Sequence, residues 1–276
     1  DRYAYAAALA PMVPLTTRAE GADKAAAAGI LSSAAMIDLY SQIYAQEDIT
    51  GDWADRAGLL RTAYTGEAPS DRMAAIAKLW DTGKDSRLRY SRMVLTAYAA
   101  ARMPVQDSFA DQSADLVASM LAAGLDANAL RWSSQAEVGS LTWAQLALAS
   151  PSRGTPVGAG ALQALYSDDD SDNYRKSRFL LAGLAGLGRV DQATANDFAA
   201  KLEINLNRQT RWTRLIDQAA DVNNPALVCL LAGVGMQGDG WDKMTSVHLY
   251  HIVSALNRVG LSAEARMIAA EAVARG

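Results

Sequence analysis

Apolar residues recur along the chain at intervals of three or four positions, which is the spacing of one face of an α-helix. One such stripe consists of Met36, Leu39, Tyr40 and Ile43. Strict alternation of β-branched and polar residues, the usual signal of a strand, is missing from the sequence. The pattern therefore predicts an all-α protein with roughly fourteen helices of about 10–18 residues, close to the usual helix length.

Short oxygen-bearing side chains stand directly before several of these stripes. Six such residues each precede a run of helix-forming residues and can accept hydrogen bonds from the free N–H groups of a first turn. They are Ser33, Asp52, Ser70, Asp85, Ser140 and Asn224. Pro225 follows Asn224, and proline is tolerated at the first helical position because the N–H it lacks would have no partner there. We therefore expect a helix to begin directly after each of the six capping residues.

The segment 150–160 contains two prolines and three glycines and is the clearest linker or long loop in the sequence. It predicts an N-terminal helical part over residues 1–150 and a C-terminal helical part over residues 151–276, continuous with the first. The opening residues 1–16 contain two prolines and are expected to form an extended arm that packs on a neighbour.

Three segments repeat one pattern of helix, glycine, apolar residue, capping residue and new helix. Their glycines are Gly124, Gly188 and Gly260, each of which is expected to end a helix in the left-handed conformation. The unit is a helical hairpin with a tight turn. It resembles the irregular helical-repeat class that includes tetratricopeptide and Sel1-like arrays, although the fixed tetratricopeptide residues are not reproduced in register. The resemblance implies an α-solenoid of stacked helical hairpins, and it carries over no functional residue.

Charge and composition exclude several classes of protein. The 276 residues include 26 basic and 30 acidic side chains, and this net charge of -4 disfavours a dedicated nucleic-acid binder. No apolar run is long enough to predict a membrane span. A single cysteine, Cys229, excludes an intramolecular disulfide and a cysteine-rich zinc module. Because Cys229 lies in an apolar run, we expect it to be buried as a small hydrophobic residue.

The two histidines are weak candidates for chemistry. His248 and His251 stand three residues apart on a helix predicted over Trp241–Val259, so they share a face that could hold a metal ion. Their neighbours on that face are largely apolar, which favours a packed or hydrogen-bonded structural role. Motifs for a serine nucleophile, a phosphate-binding loop or a dinucleotide-binding loop are also missing. We therefore expect no catalytic residue, no cofactor and no bound metal.

An acidic run resembles the opening of a calcium-binding loop. Asp168, Asp170 and Asp172 stand at alternate positions, as calcium ligands do. Asn173 and Phe179 occupy the places where such a loop needs glycine and glutamate, so an EF-hand is excluded. The run is expected to form a solvated loop that favours the N-terminus of the following helix.

The aromatic residues suggest a binding surface. The chain has six tryptophans and ten tyrosines but three phenylalanines, and tryptophan and tyrosine are favoured where one end of the ring stays wet. Arg131, Trp132 and Trp143 lie in a region of short helices, 130–151, that is expected to open a notch in the regular array. We predict that these three residues bind the partner; the alternative is that the tryptophans are core anchors between alanine-rich helices.

The sequence thus favours a non-catalytic helical scaffold or protein-binding subunit of a larger assembly, with a protein or peptide as its partner. An alternative is a helical accessory domain of a system acting on cell-wall glycan, since some lytic transglycosylases carry an α-superhelical part. Their catalytic glutamate stands before serine, whereas Glu137 here precedes Val138. The alanine and arginine bias is typical of a GC-rich bacterial genome. An export leader cleaved before Asp1 would explain the first residue, so we expect an exported or periplasmic bacterial protein of the cell envelope.

Overall fold

A computed structural model describes residues 2–152, 154–238 and 240–276. Within these ranges the chain forms sixteen α-helices and no strands, with 73% of residues helical, which confirms the all-α prediction. The chain divides into two compact units, Asp1–Ala129 and Leu130–Gly276. The division falls before the proline- and glycine-containing segment at which the sequence suggested a boundary.

Unit 1 is a helical bundle built around one central helix. Its helices are α1 (Arg2–Leu9), α2 (Leu15–Ala27), α3 (Ser33–Ala45), α4 (Asp52–Thr65), α5 (Pro69–Asp81), α6 (Ser86–Ala101) and α7 (Ser113–Leu121), and the short α8 (Asp126–Leu130) lies at the unit boundary. The central helix α6 packs against α2, α3, α4, α5 and α7. Because α2 and α6 are distant in sequence, packing in this unit extends beyond successive hairpins.

Local sequence explains how the helices of unit 1 begin and pack. The Asp85 carboxylate accepts a hydrogen bond from the Leu88 N–H at 2.9 Å, as the capping pattern predicted. The caps predicted at Ser33, Asp52 and Ser70 were wrong, because each of these residues already lies within its helix. The residues before α3, α4 and α5 are Ser32, Gly51 and Ala68, and of these only Ser32 caps through its side chain. The predicted apolar stripe of α3 is buried throughout.

The first helix corrects one expectation from the sequence. Residues 1–16 were expected to form an extended arm, but α1 is a helix that packs along α2. A Cβ atom on Gly21 would overlap the carbonyl oxygen of Ala4, so glycine at this position lets the two helices approach closely.

Unit 2 also has a central helix. Its helices are α9 (Leu141–Ala149), α10 (Ala159–Asp168), α11 (Arg175–Gly186), α12 (Gln192–Lys201), α13 (Arg211–Asp221), α14 (Pro225–Gly235), α15 (Ser246–Arg258) and α16 (Ser262–Arg275). The central helix α11 packs against α9, α10, α12, α15 and α16. A Cβ on Gly183 would lie 2.8 Å from Leu148, and one on Gly186 would lie 2.9 Å from Val253. These two glycines therefore let α9 and α15 pack directly against the backbone of α11.

Two helices of unit 2, α9 and α14, begin after predicted capping residues. Ser140 and Asn224 accept from the N–H groups of Trp143 and Leu227, at 3.1 and 3.0 Å, and confirm the two predictions. The helix predicted from Trp241 begins only at Ser246, because Thr245 caps α15 and Trp241–Lys243 forms a separate 3-10 turn.

The three predicted glycine stops share one hydrogen-bonded turn. Gly124, Gly188 and Gly260 have φ angles of 70°, 67° and 83°. In each turn the residue after the glycine donates its N–H to a carbonyl five residues earlier, which is the Schellman arrangement. These bonds are Leu125 to Met120 at 3.0 Å, Arg189 to Leu184 at 2.7 Å and Leu261 to Leu256 at 2.9 Å.

Candidate interaction surface

The predicted partner-binding residues lie at the start of unit 2 but differ in exposure. A 3-10 turn, Arg131–Gln135, packs against α9 and brings Arg131 and Trp132 into the same region as Trp143. Trp132 is only 1% exposed, as the core-anchor alternative expects, whereas Arg131 is exposed and Trp143 is half-buried. The ring of Trp132 is therefore not offered to a partner in this structure, and a role for Arg131 and Trp143 stays a prediction.

The six tryptophans are all buried or half-buried. Trp80, Trp132 and Trp241 are buried, and Trp53, Trp143 and Trp212 are half-buried. The guanidinium of Arg56 lies 3.8 Å from the centre of the Trp53 ring, and the Tyr40 ring centre lies 6.2 Å from it. None of the six tryptophans is exposed, so the aromatic composition of the sequence does not mark an open aromatic surface.

A cleft of about 600 Å³ in unit 1 is bounded by α2, α4, α6 and the end of α5, and a buried charged network forms part of its wall. Arg92, 2% exposed, donates to the two carboxylate oxygens of Asp23 at 2.5 and 2.7 Å and to the Thr82 hydroxyl at 3.1 Å. The Tyr40 hydroxyl accepts from Arg92 at 2.6 Å and donates to Asp23 at 3.1 Å. Burial, with the Asp23 charge as a further cause, raises the pKa of Tyr40 above its usual range. These side chains satisfy one another's hydrogen-bonding groups, and Arg56 places a second cation 3.7 Å from the Asp23 carboxylate.

The two histidines have separate partners. The Nδ1 atom of His251 lies 3.0 Å from the carboxylate of Asp217. His248 places its Nδ1 2.7 Å from the Thr245 hydroxyl, and its ring packs on Trp212 with 4.9 Å between ring centres. Burial, followed by the charge of His251, lowers the pKa of His248. Among the described residues no group of three His, Cys, Asp or Glu side chains could hold a metal ion.

One carboxylate of the acidic run has a structural role. Asp169, which the alternate-position pattern passed over, accepts from the N–H and hydroxyl of Ser177 in the first turn of α11, at 2.8 and 2.6 Å. Its other oxygen accepts from the Ser171 N–H at 3.0 Å. Burial raises the pKa of Asp169, but these hydrogen bonds outweigh burial and leave the pKa below its usual value.

The outer face of α14 is apolar and exposed. The helix is made of apolar residues and glycine, yet only Val228 and Ala232 are buried. Leu230 is 65% exposed, and Cys229 is exposed as well, so the expectation of a buried cysteine was wrong. The reason is that α14 packs on α13 and α15 with one side only.

The inner side of α14 is fixed by Trp212. The indole N–H of Trp212, on α13, donates to the Leu231 carbonyl at 3.1 Å. The same ring packs against Gly235, where a side chain would overlap it. This contact anchors α14, so the exposed side is held in place on a folded support.

The exposed side of α14 consists of two rows of residues. Larger side chains at Leu227, Leu230 and Val234 form one row. Smaller residues at Ala226, Cys229 and Gly233 form the row beside it with the same spacing. No charged residue occurs in the sequence between Asp221 and Asp239, so the face is neutral as well as apolar.

The sequence offers no signal for this exposure. A helix that is apolar all round is ordinarily read as a core helix. The apolar run around Cys229 therefore looks like a core helix in the sequence. It differs from a core helix only in having few helices packed around it.

No family model matches the chain, and neither a curated protein nor a solved structure is significantly similar to it. Within the described ranges, none of the helices combines the length and apolar character needed to cross a membrane. The function therefore has to be inferred from the surface itself.

Proposed function

We propose that this protein is a non-catalytic helical scaffold, a protein-binding subunit of a larger assembly. In this proposal stacked helical hairpins support α14, and α14 contacts the partner. The observation that carries the proposal is the exposed apolar face of α14. Contiguous apolar patches of this kind are rare on monomeric proteins and are typical of interaction sites.

The surroundings of α14 fit the anatomy of an interface. Asn223 and Asn224 are exposed before the helix and Gln237 is exposed after it. A polar rim around an apolar centre is the usual arrangement at protein–protein contacts. The partner chemistry that matches is an apolar helix or groove of a protein or peptide. Arg131 and Trp143 are proposed as a second contact.

The glycan-binding alternative has less support. Sugar rings stack on open aromatic faces, and tryptophan offers the largest such face. Trp53 is the tryptophan on the wall of the unit 1 cleft, but Arg56 lies over its ring and Tyr40 lies beside it. A sugar would have to displace a cation–π contact to reach this ring.

The test is affinity purification of the tagged chain from the organism that encodes it, with quantitative mass spectrometry. We expect a protein that co-purifies with the wild type to be reduced at least tenfold by Leu230→Glu, which places a charge in the apolar face. The control is Ile30→Glu, because Ile30 is 62% exposed and lies outside α14. Arg131→Ala and Trp143→Ala test the second contact in the same way.

Two outcomes would contradict the proposal. Recovery of the same proteins with wild type, Leu230→Glu and Ile30→Glu would show that α14 binds no partner. Binding of purified peptidoglycan fragments by the wild type, with no protein lost in any variant, would favour the glycan-accessory alternative.

A further inference from the structure

We infer that the α14 face binds the α14 face of a second copy of this chain, forming a two-fold symmetric dimer. This inference rests on the proposed function, since it identifies the partner of the same surface. It draws on the shape of the face, its lack of charge and its size.

The shape of the face is complementary to itself. A two-fold axis running along a pair of side-by-side helices places the left row of one helix opposite the right row of the other. On α14 this operation sets Leu227, Leu230 and Val234 of one copy against Ala226, Cys229 and Gly233 of its partner copy. Large side chains then fill the spaces above small residues in two equivalent places, which is the packing that lets helices approach closely.

The lack of charge also favours a second copy. In a symmetric contact, residues near the two-fold axis meet their own counterparts, so a charged face repels itself. Because no charged residue occurs between Asp221 and Asp239, the α14 pair meets no such repulsion. A partner recognised through opposite charge would find no complementary group on this face.

The size of the face sets the expected affinity. The 11 residues of α14 extend about 16 Å, so a single helix pair offers less contact area than the roughly 1,200–2,000 Å² of a stable complex and belongs with weak, transient contacts. We therefore expect a dimer with a dissociation constant on the order of micromolar.

Gly233→Leu gives the sharpest test. A Cβ on Gly233 meets nothing within 4 Å, so the isolated protein accommodates a larger side chain there. In the dimer the same side chain fills the space that the partner copy's large row needs. The Gly233→Leu variant makes the face more apolar but less complementary in shape to its own copy. It therefore distinguishes specific symmetric pairing from non-specific hydrophobic association.

The experiment is sedimentation equilibrium of the purified chain over a range of concentrations. We expect the wild type and Ile30→Glu to dimerise with equal constants, and Gly233→Leu and Leu230→Glu to raise the dissociation constant at least tenfold. Circular dichroism melting of each variant at low concentration reports whether it is folded.

Cys229 gives an independent readout, because it is the one cysteine of the chain. The two-fold arrangement places the two Cys229 residues at the same height on neighbouring helices. A short bismaleimide crosslinker is therefore expected to join wild-type chains into dimers and to leave folded Gly233→Leu largely monomeric.

Three outcomes would overturn the inference: a wild-type chain that stays monomeric at 100-fold above the expected micromolar constant, tighter association of Gly233→Leu, or a dimer that Leu230→Glu does not weaken. A monomeric wild type that still loses a different co-purifying protein on Leu230→Glu would refute the dimer and leave the proposed function intact.

Discussion

Helices α6 and α14 have opposite relations between composition and burial. The central α6 of unit 1 carries Ser91, Arg92 and Thr96, and all three are buried. By contrast, α14 in unit 2 carries no charged residue and exposes most of its side chains. The difference follows from neighbours, since α6 packs against five helices and α14 against two. The burial of a helix is therefore set by the number of helices packed around it. Its hydropathy predicts burial correctly only when an apolar helix also has many neighbours.

The polar groups of α6 tolerate burial because each has a partner. The Thr96 hydroxyl donates to the Arg92 carbonyl at 2.9 Å and accepts from the Trp80 indole N–H at 2.8 Å. An unpaired group in the same place would cost about 1–3 kcal/mol or more. The exposed apolar side chains of α14 face water, and a partner that covered them would lower the free energy by removing apolar surface from water.

The largest expected effect comes from breaking the charged network of α6. Arg92→Met removes the nearer of two cations and leaves the buried Asp23 carboxylate with Tyr40 as a hydrogen-bond donor and the Arg56 guanidinium 3.7 Å away. Complete loss of the partner of a buried charge costs about 3–5 kcal/mol. Because Arg56 keeps part of the interaction, we expect the free energy of unfolding to fall by up to this amount in urea titrations followed by circular dichroism.

The double variant Asp23→Leu with Arg92→Met is the control. It removes both charges of the closest pair, and we expect it to recover part of the loss, since an apolar pair of similar volume is often as stable as a buried ion pair. Arg56 loses its carboxylate in this variant but keeps its contact with the Trp53 ring. A single Arg92→Met variant as stable as the wild type would show that Arg92 does not anchor the α2–α6 contact.

A medium effect is expected at Asp169, a half-buried carboxylate that accepts hydrogen bonds from the first turn of α11. Asp169→Asn should lower the free energy of unfolding at pH 7 by about 1 kcal/mol, the scale of a helix cap. Because the folded-state pKa is lowered, the contribution of the charge is present above the ordinary pKa near 3.8 and is lost as the pH falls through the folded value.

The pH dependence distinguishes this charge from mere packing. Wild type and Asp169→Asn should become equally stable below that range, whereas Asp168→Asn, at an exposed neighbouring position, should match the wild type throughout. A difference between wild type and Asp169→Asn that persists unchanged at low pH would contradict a role for the ionised carboxylate.

The smallest effect on stability is expected on α14. Leu230→Glu changes a residue that is already exposed, so at protein concentrations too low for association the free energy of unfolding should change by less than about 0.5 kcal/mol. Thermal melting in dilute solution measures this. A fall of several kcal/mol in the free energy of unfolding would mean that Leu230 is buried in the core of unit 2, and that α14 has no exposed apolar face.

The sequence predicts those features that depend on a few neighbouring residues. A helix cap depends only on a side-chain oxygen and the N–H three positions later, and this local pair is present at Asp85, Ser140 and Asn224. Gly124 and its counterparts end helices because the left-handed conformation disfavours other residues.

Features that depend on distant parts of the chain were not predictable. Trp132 is in the core, while Trp143, eleven positions later, is half-buried, and nothing local separates them. The exposure of Cys229 was missed for the same reason, because an apolar helix is compatible with a core position or an interface. The solenoid arrangement remains a prediction, since turns of one type are compatible with more than one way of packing hairpins.

The different numbers of neighbours around α11 and α14 also set how readily each helix opens. Five helices pack around α11, so we expect its amide hydrogens to exchange with solvent only when several helices detach together. A single side holds α14, which can detach at lower cost and exchange faster. A partner seated on α14 would therefore slow exchange most in the helix that is least protected alone, and deuterium uptake would report binding without knowledge of what has bound.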